Sequence, residues 1–204
     1  MKIRIAMAAL AAMAACSQEP AADAPTPDHL LIGPLFADSF SCAQHWQGQL
    51  PHMGDALGSD CYVYRLVDTP SGGKFARAYV NDGLSNEDWF SWNEPVLAGI
   101  DGEIIRMHEN PVVNEPGNLG EPPASMIVIK RADGAHLLYA HIASPLVEVG
   151  DVVTAGQQIA VVGNNGYGRN PHIHLGAWMD GKPLPIAFDL DAYGRLMDDA
   201  DGSD

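Results

Sequence analysis

The sequence predicts a mainly β domain, an antiparallel sheet with little helix. Three observations carry this. Short runs rich in β-branched and aromatic residues recur along most of the chain. Gly, Asn, Asp and Pro turn signals separate them closely, twice as Asp-Gly between two apolar runs. Almost no helical pattern stands between the runs, which argues for neighbouring strands joined by turns.

The N-terminal stretch precedes the domain. "MKIRIAMAALAAMAAC" (residues 1–16) has a basic start, Lys2 and Arg4, followed by an apolar run. It is too short to span a bilayer as a helix and reads as a secretory signal. Ala14 and Ala15 stand directly before Cys16. This resembles the lipobox of bacterial lipoproteins, in which the cysteine is lipidated and becomes the new N-terminus. Met13 stands where Leu or Val is usual, so an ordinary cleavage site near Ala15 or Ala22 is the alternative. Either way the mature protein is expected outside the cytoplasm, with a lipid anchor as its one membrane contact. Residues 17–29 begin "SQEPAADAPTPD" and read as a linker.

The domain is expected over 30–188. "DSFSCAQHW" is a helical candidate, with His45-Trp46 in a packing role. "CYVYRLV" and "FARAYV" read as strands, and "PVLAGIDGEIIRM" as two short strands about a Gly-containing turn. Residues 110–124, "NPVVNEPGNLGEPPA", form a long loop inserted in the sheet. "SMIVIKRADGAHLLYAHI" is a hairpin about Asp133-Gly134. "GDVVTAGQQIAVVG" gives two more short strands, and "HIHLGAWMDGKPLPI" repeats the hairpin pattern about Asp180-Gly181. "DLDAYGRLM" is the second helical candidate. Residues 189–204 end in "DDADGSD" and read as an acidic, solvated tail.

The 204-residue chain carries a net charge of -15, from 26 acidic and 11 basic residues. This excludes the basic footprint that nucleic-acid binding needs. Beyond Cys16 there are two cysteines, Cys42 and Cys61. In an oxidising compartment they are candidates for a disulfide, with two buried thiols as the alternative.

The chemistry concentrates in histidines. His172 and His174 are two apart, so in a strand they point the same way. Such a pair alone is a weak signal. It gains company from His141 at the end of "YAHI", with Tyr139 read on the same face. It also gains company from the loop "PHMGDALGSD", where His52 and Asp60 flank a glycine-containing turn. Catalytic zinc commonly takes three His or carboxylate ligands and leaves a position for water. His52, Asp60 and His174 would make that set, with His141 and His172 left as acid–base groups.

At this point the sequence resembles a known family. "YAHIASPLVEVGDVVTAGQQIAVVGNNGYGRNPHIHLGAW" is similar to the second half of the lysostaphin-type, or LytM-type, zinc metallopeptidases, which cleave murein peptides. "PVLAGIDGEI" resembles the segment that precedes it there, and the likeness runs over roughly 50–184. The resemblance implies one zinc ion held by His52, Asp60 and His174, with His141 and His172 as the catalytic non-ligands. It implies a duplicated, barrel-sandwich-hybrid-like β fold and a peptidoglycan peptide substrate.

The sequence departs from the family pattern in three places. Seven residues separate His52 from Asp60 where three is usual, and Asp55 competes as the carboxylate. Asp60 is preferred because "GSD" before an apolar strand matches the family. Gly176 stands where the family often has Glu. The insertion 110–124 lengthens the hairpin region. His29, His45, His108 and His136 match nothing in the pattern and read as surface or structural. Arg169 reads as a solvated turn residue. Some relatives lack the ligands and act as non-enzymatic factors that bind and activate cell-wall amidases. Here every role has a candidate, which favours catalysis. The run "VEVGDVVTAGQQIAVV" also resembles biotinyl and lipoyl carriers, but no acceptor Lys lies between Lys130 and Lys182.

Overall fold

The computed structural model describes residues 28–201. The export signal, and with it nearly all of the linker, lies outside the described residues.

The strands are β1 (Leu30–Ile32), β2 (Phe40–Gln44), β3 (Ser59–Val63), β4 (Arg65–Asp68), β5 (Lys74–Arg77), β6 (Pro95–Leu97), β7 (Gly102–His108) and β8 (Met126–Lys130). They continue as β9 (His136–Ala140), β10 (Ile142–Ala143), β11 (Val152–Val153), β12 (Gln158–Val162), β13 (Ile173–Met179), β14 (Lys182–Leu184) and β15 (Ile186–Phe188). One α-helix, α1 (Leu190–Asp201), follows. Among the described residues no helix is long and apolar enough to cross a membrane.

The main sheet runs β11-β7-β8-β9-β13-β3-β2, with β14 also on β13. All its pairings are antiparallel. A second sheet, β10-β12-β6, packs with it around one core. The fold is therefore mainly β and antiparallel, as the run-and-turn pattern requires. Both Asp-Gly hairpins form: β8 and β9 about Asp133-Gly134, and β13 and β14 about Asp180-Gly181. The insertion 110–124 has no regular strand.

β13 is the centre of the molecule. β9 pairs along one edge, while β3 and β14 share the other. Its odd residues, Ile173, Leu175 and Ala177, are fully buried in the core. Its even side, with His172 just before the strand, faces the opposite way. Cys61 of β3 lies across from Ile173 on the core side, which sends Asp60 to the same face as His174.

One local expectation changes. "FSCAQ" is β2, an edge strand paired with β3, not a helix. Its apolar residues are too few to bury a helical face. In strand form Cys42 lies opposite Cys61, and the two are disulfide-bonded. The second helical candidate, "DLDAYGRLM", does form, so the acidic tail begins as a helix. Asp189 accepts a hydrogen bond from the Ala192 amide, which caps the first turn. Tyr193 then docks edge-on against Phe40, and its hydroxyl donates to the Asp38 carbonyl.

Candidate metal centre and active site

Four histidines and one carboxylate gather on the even side of β13. The register places His174 between Asp60 of β3 and Ala140 of β9. His141 follows Ala140 with φ of 64°. This left-handed conformation is rare for a non-glycine residue. It carries the chain from β9 in the main sheet to β10 in the second sheet. The strand alternation therefore ends at Ala140. Tyr139, expected on the face of His141, is instead fully buried, and its hydroxyl accepts a hydrogen bond from the Gly99 amide.

His45 is the residue that the sequence reading missed. The β2–β3 pairing continues one step beyond the strand, with the His45 amide donating to the Gly58 carbonyl. Ala43 lies opposite Asp60, so His45 sits diagonally from Asp60 on the same face. His52, expected as a ligand, is exposed on the turn of the 46–58 loop and lies outside the group. Its backbone carbonyl closes that turn by accepting from the Asp55 and Ala56 amides. Among the described residues, His45, Asp60 and His174 are those whose ligand atoms converge, all within 4.8 Å of one another. The signal was present in sequence: once Cys42 pairs with Cys61, the strand spacing delivers His45 to Asp60.

The hydrogen bonds fix which nitrogen of each ring is free. His45 Nδ1 is 3.0 Å from the Asp55 carbonyl, and His174 Nε2 is 2.9 Å from the Gly54 carbonyl. A carbonyl only accepts, so each of these nitrogens carries its proton. The remaining nitrogens face the carboxylate. His45 Nε2 is 3.3 Å from Asp60 Oδ2, and His174 Nδ1 is 2.8 Å from Asp60 Oδ1. Lone pairs thus meet lone pairs unless a cation stands between them. A tetrahedral zinc site with ligands at roughly 2.0–2.1 Å sets them roughly 3.3–3.4 Å apart. The donor set of two imidazoles and one carboxylate fits such an ion. Asp55 is on the other side of the ring, 3.3 Å from His174 Nε2, where it supports the imidazole.

Without a metal, protons take over part of this role. Burial pulls the His174 pKa down, but hydrogen bonds to Asp55 and Asp60 outweigh it and raise it to about 9. Burial pushes Asp60 up, yet the His172 and His174 imidazoles hold it well below the usual carboxylate range.

The loop that supplies these carbonyls crosses directly over β13, and glycine makes the crossing possible. A Cβ at Gly176 would overlap the Gly54 carbonyl. A Cβ on Gly54 would in turn lie 3.3 Å from the Leu138 side chain on the same face. The glycine that departs from the family pattern therefore makes room for a backbone acceptor.

His141 and His172 stand beside the ligand group, both buried, with ring centroids 4.5 Å apart. His141 Nδ1 donates to the Asn165 carbonyl and His172 Nδ1 to the Asn170 carbonyl, each at 2.7 Å. Both Nε2 atoms are therefore lone-pair nitrogens. Burial, with the His172 imidazole nearby, lowers the His141 pKa to about 3, so it stays neutral. The loop over these rings is tied to the insertion. Buried Asn114 donates to the Gly166 and Gly168 carbonyls, and a Cβ on Gly168 would lie 3.2–3.3 Å from both rings.

Two free imidazole bases thus stand beside a group of three side chains that could hold a metal ion. Residues 89–185 match the model described as peptidase family M23. This segment, just under half of the chain, resembles that family. The M23 match includes His141, His172 and His174, while His45 and Asp60 lie upstream of it. The chain is 32% identical over 95 residues to the cell division protein DipM of Caulobacter vibrioides, covering 47% of this chain and 14% of that one. It is 30% identical over 94 residues to the DD-carboxypeptidase/endopeptidase Mpg of Neisseria meningitidis, covering 46% and 21%. It thus spans less than a quarter of the length of either relative. Among solved structures, the catalytic domain of lysostaphin from Staphylococcus simulans aligns at TM-score 0.41 and 20% identity, over 71% of this chain and 83% of that one.

Proposed function

We propose that this protein is an M23-type, zinc-dependent endopeptidase of the cell envelope that hydrolyses peptide bonds in peptidoglycan. The carrying observation is the convergence of His45 Nε2, Asp60 and His174 Nδ1, with the free Nε2 atoms of His141 and His172 beside them. Zinc, when bound, polarises a carbonyl oxygen and lowers the pKa of water. The chain supplies the proton traffic. His141 stays neutral across the physiological range, and its Nδ1 proton is held by Asn165, so only Nε2 accepts a proton. His172 presents Nε2 in the same way. Either imidazole takes the proton of the attacking water and, once charged, donates it to the leaving amine.

The peptidase family supports peptide-bond hydrolysis. The cell-division and carboxypeptidase/endopeptidase names of the relatives support a cell-wall peptide as substrate. The Cys42–Cys61 disulfide supports an oxidising compartment, in keeping with the export signal and lipid anchor read from residues 1–16. The test is cleavage of purified sacculi by the zinc-loaded protein. Chelator and His174→Ala should each abolish product release, the latter with loss of zinc. His172→Ala should keep zinc and lose activity. Full activity of the metal-free protein would overturn the proposal.

A further inference from the structure

The site face of β3 carries a second residue beyond Asp60. Tyr62 is two positions along, and so points the same way. The β3–β13 register pairs Cys61 with Ile173 and Asp60 with His174. Continued one step, it sets Tyr62 across from His172. The two rings lie nearly parallel, 16° apart with centroids at 5.1 Å. His141 stands against His172 as well, so the imidazole is held between two rings.

Tyr62 is itself braced. Trp89 packs against it at 6.0 Å, and Tyr79 packs against Trp89 at 4.8 Å. The Trp89 indole N–H donates to the Gly83 carbonyl at 2.9 Å, which fixes the indole in its plane. A Cβ on Gly83 would lie 2.8 Å from the Tyr79 ring, so that turn closes the column from outside. A continuous row therefore runs His141, His172, Tyr62, Trp89, Tyr79. His172 has one hydrogen bond of its own, Nδ1 to the Asn170 carbonyl, and a ring on a single hydrogen bond can still swing about it.

We propose that Tyr62, backed by Trp89, is a positioning residue that holds the His172 ring with Nε2 directed at the Asp60 side of the site, where it lies 3.7 Å from Oδ1. This rests on the peptidase reading above. It acts through the ring face and not through the hydroxyl. Packing of this kind sets the reacting geometry, and a displacement of about 1 Å can cost about 100-fold in rate.

The test compares Tyr62→Leu with Tyr62→Phe in the zinc-loaded protein, on a soluble peptidoglycan fragment. Tyr62→Leu should lower kcat by about 10- to 100-fold, with KM and zinc affinity within about twofold of the parent. Tyr62→Phe should recover most of the rate. A Tyr62→Phe variant as slow as Tyr62→Leu, or a fully active Tyr62→Leu, overturns the proposal. Long-range proton–nitrogen spectra of the His172 ring give a readout independent of turnover. They should show one tautomer in the parent and Tyr62→Phe, and a mixture or broadened signals in Tyr62→Leu and in Trp89→Leu. Unchanged His172 signals in both leucine variants overturn the proposal, even for a protein without peptidase activity. If Tyr62→Leu does not fold, Trp89→Leu carries the same comparison.

Discussion

Replacing Gly176 by alanine should damage the metal site without touching a ligand. The new Cβ overlaps the Gly54 carbonyl, so either β13 or the 46–58 loop must move. β13 is paired on both edges, whereas the loop is held mainly by its ends, so the loop yields. It carries the Gly54 carbonyl away from His174 Nε2 and the adjacent Asp55 carbonyl away from His45 Nδ1. Each such orienting partner is worth about 10- to 100-fold in metal affinity. With both disturbed, zinc binding should weaken by about 100-fold, or about 2.7 kcal/mol. The clash itself should cost about 1–3 kcal/mol of stability in the metal-free protein. Zinc competition against a chromophoric chelator reads the first quantity, and denaturant titration reads the second. A Gly176→Ala protein that binds zinc within twofold of the parent would refute the claim that these carbonyls set the ring tautomers.

Four further outcomes follow from the same geometry. His45→Ala should weaken zinc binding by about 100-fold or more, while His52→Ala stays within about twofold, read by metal content after dialysis. Zinc affinity should rise with pH, because binding displaces the His174 proton whose pKa is raised from 6.5 to about 9. The expected gain is about tenfold per pH unit between those values. The same raised pKa stabilises the metal-free fold fully below pH 6.5 and ceases to as pH rises through 9, so denaturation midpoints of the metal-free protein should fall across that window. The disulfide closes a segment with a sequence separation of 19 and ties the edge strand of His45 to the strand of Asp60. Replacing both cysteines by serine should cost about 3 kcal/mol in denaturant titration.

Much of this was legible because strand alternation is a strict rule. Two histidines at i and i+2 had to share a face, and Asp-Gly turns had to reverse the chain. His172, His174 and Asp60 followed from those patterns and from the family likeness, and α1 from its "DLDAYGRLM" pattern. The first member of the proposed ligand group was not legible in the same way. His45 reaches the site through pairing of an edge strand whose polar residues, Ser41 and Gln44, blur its alternation. The family spacing drew attention to His52 because that residue stands nearer Asp60 in sequence. Distance along the chain misled here: the loop spends those residues crossing over Gly176, and the ladder brings His45 back to Asp60. Tyr139 was misplaced for a different reason. Alternation was carried past Ala140 into His141, where the backbone turns left-handed and the rule no longer holds.

The most direct test of the account is the metal geometry of the zinc-loaded protein, by anomalous diffraction at the zinc edge. One ion should be bound by His45 Nε2, an Asp60 oxygen and His174 Nδ1, at about 2.0–2.2 Å each. An ion held by His52, by Asp55, or by His174 through Nε2 would contradict it.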